Sequence, residues 1–165
     1  MSSSAIGDVA SNFHDDPVGF VRFVLGAEPD TWQADVMNDI AGNQRVAVAS
    51  GHGIGKTALI AWLILWFSAT RPDPQIVVTA NTKNQLDSKT WREVSKWNSR
   101  SKIAHLFEHS ATKFFLKAAP DTWFAAAIPW TEHNSEAFAG THEENVLVLF
   151  DEASNIAQTI WDVVE

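Results

Sequence analysis

Two short stretches hold most of the residues that could do chemistry. The first, Ser50-Gly51-His52-Gly53-Ile54-Gly55-Lys56-Thr57, alternates glycines and ends in Gly-Lys-Thr. The strict phosphate-loop pattern opens on glycine and closes on Gly-Lys-Ser/Thr, and Ser50 stands at the opening position here. Gly51, Gly53 and Gly55 let the backbone turn its N–H groups onto an anion. A helix starting at Lys56 would aim its positive end at the same point. The Lys56 ammonium can reach the β and γ phosphates of a nucleotide, and the Thr57 hydroxyl suits magnesium. The expected ligands are ATP and Mg2+, with Gly51, His52, Gly53, Ile54, Gly55, Lys56 and Thr57 forming the phosphate site.

The second stretch is Val146-Leu147-Val148-Leu149-Phe150-Asp151-Glu152, an apolar run closed by two carboxylates. Asp151 would hold the magnesium through water, and Glu152 would polarise an attacking water. A carboxylate beside the γ-phosphate is a hydrolase arrangement and not a kinase one. The expected catalytic residues are therefore Glu152 and Lys56, and the expected metal ligands Thr57 and Asp151. The bland alternative is that Asp151-Glu152 only caps the following helix.

Strands and helices must position these groups. The apolar run Arg45 to Ser50 reads as a buried strand feeding the loop, and Lys56 to Thr70 as the helix leaving it. Arg71-Pro72-Asp73-Pro74 breaks the chain before a second buried strand, Gln75 to Ala80. Thr82 to Asn98 reads as a long helix. Lys113 to Ala118 and Trp123 to Ile128 read as a hairpin around Pro120-Asp121, and Glu132 to Glu144 as a loop. Val146 to Phe150 is a third buried strand, followed by a helix over Ser154 to Val164. Upstream, Pro17 to Leu25 reads as a short helix with Phe20, Phe23 and Val24 on one face. Asp30 or Thr31 caps a helix over Trp32 to Ile40 that Gly42-Asn43 ends. Residues 1–16, rich in serine and acids, read as a mobile segment. Alternating strands and helices imply a mainly parallel α/β sheet flanked by helices, with the hairpin as an insertion.

Composition narrows the field further. The 165 residues are 45% hydrophobic and 19% charged, with no cysteine, so disulfides, thiolate metal sites and thiol nucleophiles are excluded. That fits a reducing cytoplasm. There is no signal-peptide pattern, and the longest apolar stretch, Ala58 to Phe67, is too short to span a bilayer. The histidines lack metal-ligand spacing, so no zinc site is expected. Net charge is −8, yet residues 81–117 hold eight basic and three acidic side chains. That stretch is either a local basic surface or an ordinary solvated helix face. Trp62 and Trp66, four residues apart, read as core packing. Trp91 and Trp97, interleaved with Lys89, Arg92 and Lys96, read more readily as helix packing than as a nucleic-acid surface.

Together these residues resemble the ATPase domain of phage terminase large subunits. Asp30-Thr31-Trp32-Gln33 resembles that family's adenine motif. Ser50 to Thr57 resembles its relaxed phosphate loop, and Val77 to Gln85 its helicase-like motif Ia. Phe138-Ala139-Gly140-Thr141-His142 and Val146 to Ala153 resemble its approach to the acidic pair. The resemblance covers roughly residues 20–165. It implies a P-loop fold of the RecA/helicase-like type with a catalytic glutamate, and Trp32 and Gln33 as adenine contacts. Trp32 could instead anchor its helix, and Gln33 could be a surface glutamine. The implied role is an ATP-hydrolysing motor that moves double-stranded DNA into a capsid. The implied partners are DNA, the terminase small subunit and the portal protein, within a ring of copies on the capsid in the host cytoplasm. No membrane is involved.

Two departures stand out. Many terminases carry an arginine in the phosphate loop where His52 stands, which makes the charge there conditional on pH. The family also has a coupling strand after the acidic pair, lying between it and the phosphate-loop strand, and then a nuclease domain. Residues 17–165 therefore read as a partial ATPase domain from a longer protein, with weak or no turnover when isolated. Two rival readings remain: a helicase-like DNA-dependent ATPase, and an inactive nucleotide-binding prophage remnant.

Overall fold

A computed structural model describes residues 2–49, 51, 53, 55–80, 82–129 and 144–152. Its centre is α4, Lys56–Thr70, whose sequence is apolar on every side and whose residues from Ala61 to Thr70 are all buried. A helix hydrophobic all round must be surrounded. α4 packs against α1 (Ser2–Phe13), α6 (Trp91–Arg100) and strands β1 (Gln75–Thr79) and β4 (Phe124–Ala127). Trp66 Nε1 donates to the Phe13 carbonyl at 2.8 Å. Trp123 Nε1 donates to the Ser68 carbonyl at 2.7 Å. Trp62 and Trp66 are core residues, as their spacing predicts.

The sheet has the order β2-β3-β4-β1-β5, with β2 Phe107–His109, β3 Lys113–Leu116 and β5 Val146–Phe150. β1 pairs in parallel with β4 and β5, whereas β3 pairs antiparallel with β2 and β4. The sheet is thus mixed and not mainly parallel. The hairpin is no appended insertion either, because β4 is a full neighbour of β1.

Three other elements differ from the sequence reading. The N-terminal segment expected to be mobile contains α1, whose Ala5, Ile6, Val9 and Phe13 pack on the core. In the helical run made by α2 (Pro17–Phe20) and the π-helical turn Val21–Leu25, the buried residues include Phe20, Val21, Val24 and Leu25. Phe23 is 64% exposed and stacks on Phe13 instead. The long helix expected over Thr82 to Asn98 is present, running without a break from α5 (Lys83–Gln85) through a π-helical turn, Leu86–Thr90, into α6.

The third difference bears on the site. The expected buried strand Arg45 to Ser50 is not a strand over residues 45–49; apart from half-buried Val46 that stretch is exposed, and Ser50 lies outside the described residues. Val48 is 44% exposed. A strand needs a neighbour for its N–H and C=O groups. Among the described residues, β5 pairs only with β1, and residues 45–49 do not join the sheet. The expected loop over 132–144 and helix over 154–164 lie almost wholly outside the described residues; Glu144 is in a bend.

Candidate functional site at the head of α4

The chain enters α4 through two left-handed glycines, Gly53 at φ 73° and Gly55 at φ 94°. L side chains are strained there. A Cβ on Gly53 would meet open space, but one on Gly55 would lie 2.8 Å from Gln33 Nε2. Gln33 sits in the first turn of α3, Thr31–Gly42, and is 4% exposed. Its Nε2 donates to the Gly55 carbonyl at 3.0 Å, and its Oε1 accepts from the Asp30 N–H at 2.8 Å. One side chain therefore ties the start of α3 to the end of the glycine stretch.

This contact sets an expected outcome for Gly55→Ala. Left-handed alanine costs about 1–2 kcal/mol, and the Gln33 amide must also move. A total near 2 kcal/mol would lower the melting midpoint by about 4–8 °C. Gly53→Ala shares the backbone strain without the clash and should lose less. Equal losses in thermal denaturation would remove the Gln33 contact from the explanation.

Beside this turn lies a cleft of about 340 Å³, lined by Gly53, Gly55, Lys56, Thr57 and Ala58 and, from α6, Glu93 and Lys96. Trp97 docks α6 on α4 by meeting Trp62 edge to face, with ring centroids 5.4 Å apart. Glu93 is fully engaged: Oε2 accepts from Trp97 Nε1 at 2.9 Å and Oε1 from Lys96 Nζ at 3.1 Å.

Asp151 follows β5 directly. Its N–H donates to the Thr79 carbonyl at 2.9 Å, extending the β1–β5 ladder by one bond. Its side chain is buried, and Oδ2 accepts from Gln85 Nε2 at 3.1 Å. Glu152 is exposed and holds a left-handed backbone, φ 58°. For a non-glycine residue this conformation costs about 1–3 kcal/mol, and such residues cluster at functional sites.

The sequence-derived residues thus fall into two groups. Gly53, Gly55, Lys56 and Thr57 share the cleft, with Gln33 behind Gly55. Asp151 and Glu152 stand at the end of β5 and do not line it. Trp32 is half-buried and packs against the core, and Gly51 is exposed. His52 and Ile54 lie outside the described residues. In the sequence reading Glu93 had no site role, Gln85 entered only as the end of the motif Ia resemblance, and Lys96 only as one of the bases interleaved with Trp91 and Trp97. Their contacts depend on how α5 and α6 dock, for which the only local signal is the Trp97 and Glu93 spacing along α6. Among the described residues no cluster of three or more His, Cys, Asp or Glu could hold a metal. A threonine hydroxyl and a single carboxylate are nonetheless the hard oxygen donors that magnesium takes while keeping most of its water, so the residues present fit it.

A mixed five-stranded sheet flanked by helices, with a glycine turn leading into a buried helix, defines an α/β protein. The same fold is found in the crystal structure of the HK97 bacteriophage large terminase. The two agree with a TM-score of 0.63 over 84% of this chain and 37% of that one, at 16% identity. In sequence, the chain is 26% identical over 150 residues to the "Probable terminase, large subunit" of Enterobacteria phage P7. That match covers 86% of this chain and 30% of the relative, so the chain spans less than a third of the relative's length. No protein-family model matches. The resemblance to phage terminase large subunits read from the motifs recurs in both comparisons.

Proposed function

We propose that this chain is the ATP-binding and hydrolysing part of a motor that packages double-stranded DNA into phage capsids. The observation that carries the proposal is the cleft at the head of α4, lined by Gly53, Gly55, Lys56 and Thr57 in a chain similar to a terminase large subunit. The left-handed glycines free backbone N–H groups for phosphate oxygens, and the α4 N-terminus adds about half a positive charge. Lys56 places a full charge on the β and γ phosphates. Thr57 and Asp151 would hold magnesium by their side-chain oxygens. Bound magnesium would neutralise charge developing on the transferred phosphoryl group. Glu152, one residue beyond Asp151, orients and polarises the attacking water.

Gln33, on this reading, works at the loop, because its Oε1 and Nε2 already bond Asp30 and Gly55. An adenine contact would use its remaining lone pair and proton, with Trp32 beside it. The partners proposed are DNA, a small subunit, a portal and further copies of the chain in a ring, in the host cytoplasm. Among the described residues no helix is long and apolar enough to cross a membrane.

A second reading draws on residues 45–49, which lie outside the sheet. A loop whose entry is not braced would bind nucleotide without turning it over. ATP turnover by the intact protein separates the two. Double-stranded DNA is expected to raise the rate several-fold, and binding without turnover, with or without DNA, would favour the second reading.

A further inference from the structure

We propose that Gln85 is a positioning residue for Asp151, fixing the direction in which that carboxylate meets a metal; this rests on the reading of Asp151 given above. β1 and β5 are parallel and in register, Thr79 opposite Phe150, so their carboxyl ends finish side by side. The helical run that leaves β1 begins with α5, capped by Thr82, whose Oγ1 accepts from the Gln85 N–H at 3.2 Å. Its first turn therefore overhangs the end of β5. Gln85 is held there twice, by its backbone at the cap and by its amide at Asp151 Oδ2, across 66 residues of sequence.

The chemistry suits a carboxylate that must coordinate. Asp151 is 8% exposed, and a buried carboxylate needs donors. A neutral amide supplies one without competing for the charge as a lysine or arginine would. With Oδ2 engaged, Oδ1 keeps its lone pairs for a metal-bound water. Partners that orient metal-binding carboxylates commonly change metal affinity by about ten- to a hundredfold when removed. The π-helical turn that follows, Leu86–Thr90, is anchored by buried Leu86 and Thr90, so Gln85 is fixed from the core side as well.

The test is the binding of a fluorescent ATP analogue to the intact protein, titrated with magnesium and repeated with magnesium chelated. Gln85→Ala should raise the magnesium concentration for half-maximal binding about tenfold and leave metal-free binding unchanged, with a melting midpoint lower by a few degrees because the buried Asp151 carboxylate loses its amide donor. Gln85→Glu, isosteric but facing a carboxylate with a carboxylate, should raise it further. An unchanged magnesium requirement in Gln85→Ala overturns the proposal, and so does equal weakening with and without magnesium, the mark of a merely structural role. Asp151→Asn separates the two claims. If it loses the magnesium response and Gln85→Ala does not, only the role of Gln85 fails. If Asp151→Asn keeps the response, the reading of Asp151 fails, and the role of Gln85 with it.

Discussion

Lys56→Ala is expected to lower affinity for magnesium–ATP by about a hundredfold or more. Hydrogen bonds to charged groups contribute roughly 1.5–3 kcal/mol each, and 1.4 kcal/mol is a factor of ten. Lys56 can meet two phosphates at once, and the α4 N-terminus alone supplies only about half a charge. The folded state should not notice the change. Lys56 is half-buried at the first position of α4, and among the described residues it forms no ion pair that its loss would break. Its removal should shift stability by no more than about 0.5 kcal/mol. Calorimetric titration with a parallel melting curve checks both halves. Unaltered binding would move the phosphate site elsewhere, and a collapsed melting curve would make Lys56 structural.

The second large effect is on turnover. Glu152→Gln in the intact protein should bind magnesium–ATP as the parent does and hydrolyse it about 10²–10⁴ times more slowly, the usual contribution of a positioned base. Glutamine keeps the shape of the side chain and meets the same left-handed backbone at φ 58°, so the strain is not altered. Glu152 is exposed, so its replacement leaves no buried group unpaired. What disappears is the ability to take a proton. Equal rates for variant and parent would refute the role given to Glu152.

Local features were legible in the sequence where a residue's environment is set by its near neighbours. α4 is bounded on one side by Gly55 and on the other by Arg71-Pro72, and its all-apolar run identified both its extent and its burial. β1 and β5 announced themselves as unbroken β-branched and leucine runs. The same logic failed for residues 45–49, because burial of a strand depends on a neighbour that its own sequence does not contain. Strand direction is equally non-local. Nothing within Phe124–Ala127 says that it will run parallel to β1 while pairing antiparallel with β3. α1 was obscured by its serines and Asp8, although Ala5, Ile6, Val9 and Phe13 already carried a helical spacing.

The site divides in the same way. Its glycines, Lys56 and Thr57 are contiguous and could be read directly. Gln33 reaches Gly55 across 22 residues and Gln85 reaches Asp151 across 66, and neither bond leaves a trace in the sequence. Gln33 also shows how a motif resemblance and a structure can divide one residue's work. A glutamine suited to an adenine edge is, in the fold, the clamp on the carbonyl that opens α4.

The most direct measurement is a structure of the protein with a non-hydrolysable ATP analogue and magnesium. The phosphates should lie against Gly53, Gly55 and the first residues of α4, with Lys56 Nζ on the β and γ groups. The metal should bind the Thr57 hydroxyl directly and Asp151 through water. A nucleotide bound away from the head of α4, or a metal with neither Thr57 nor Asp151 in its surroundings, would contradict the account.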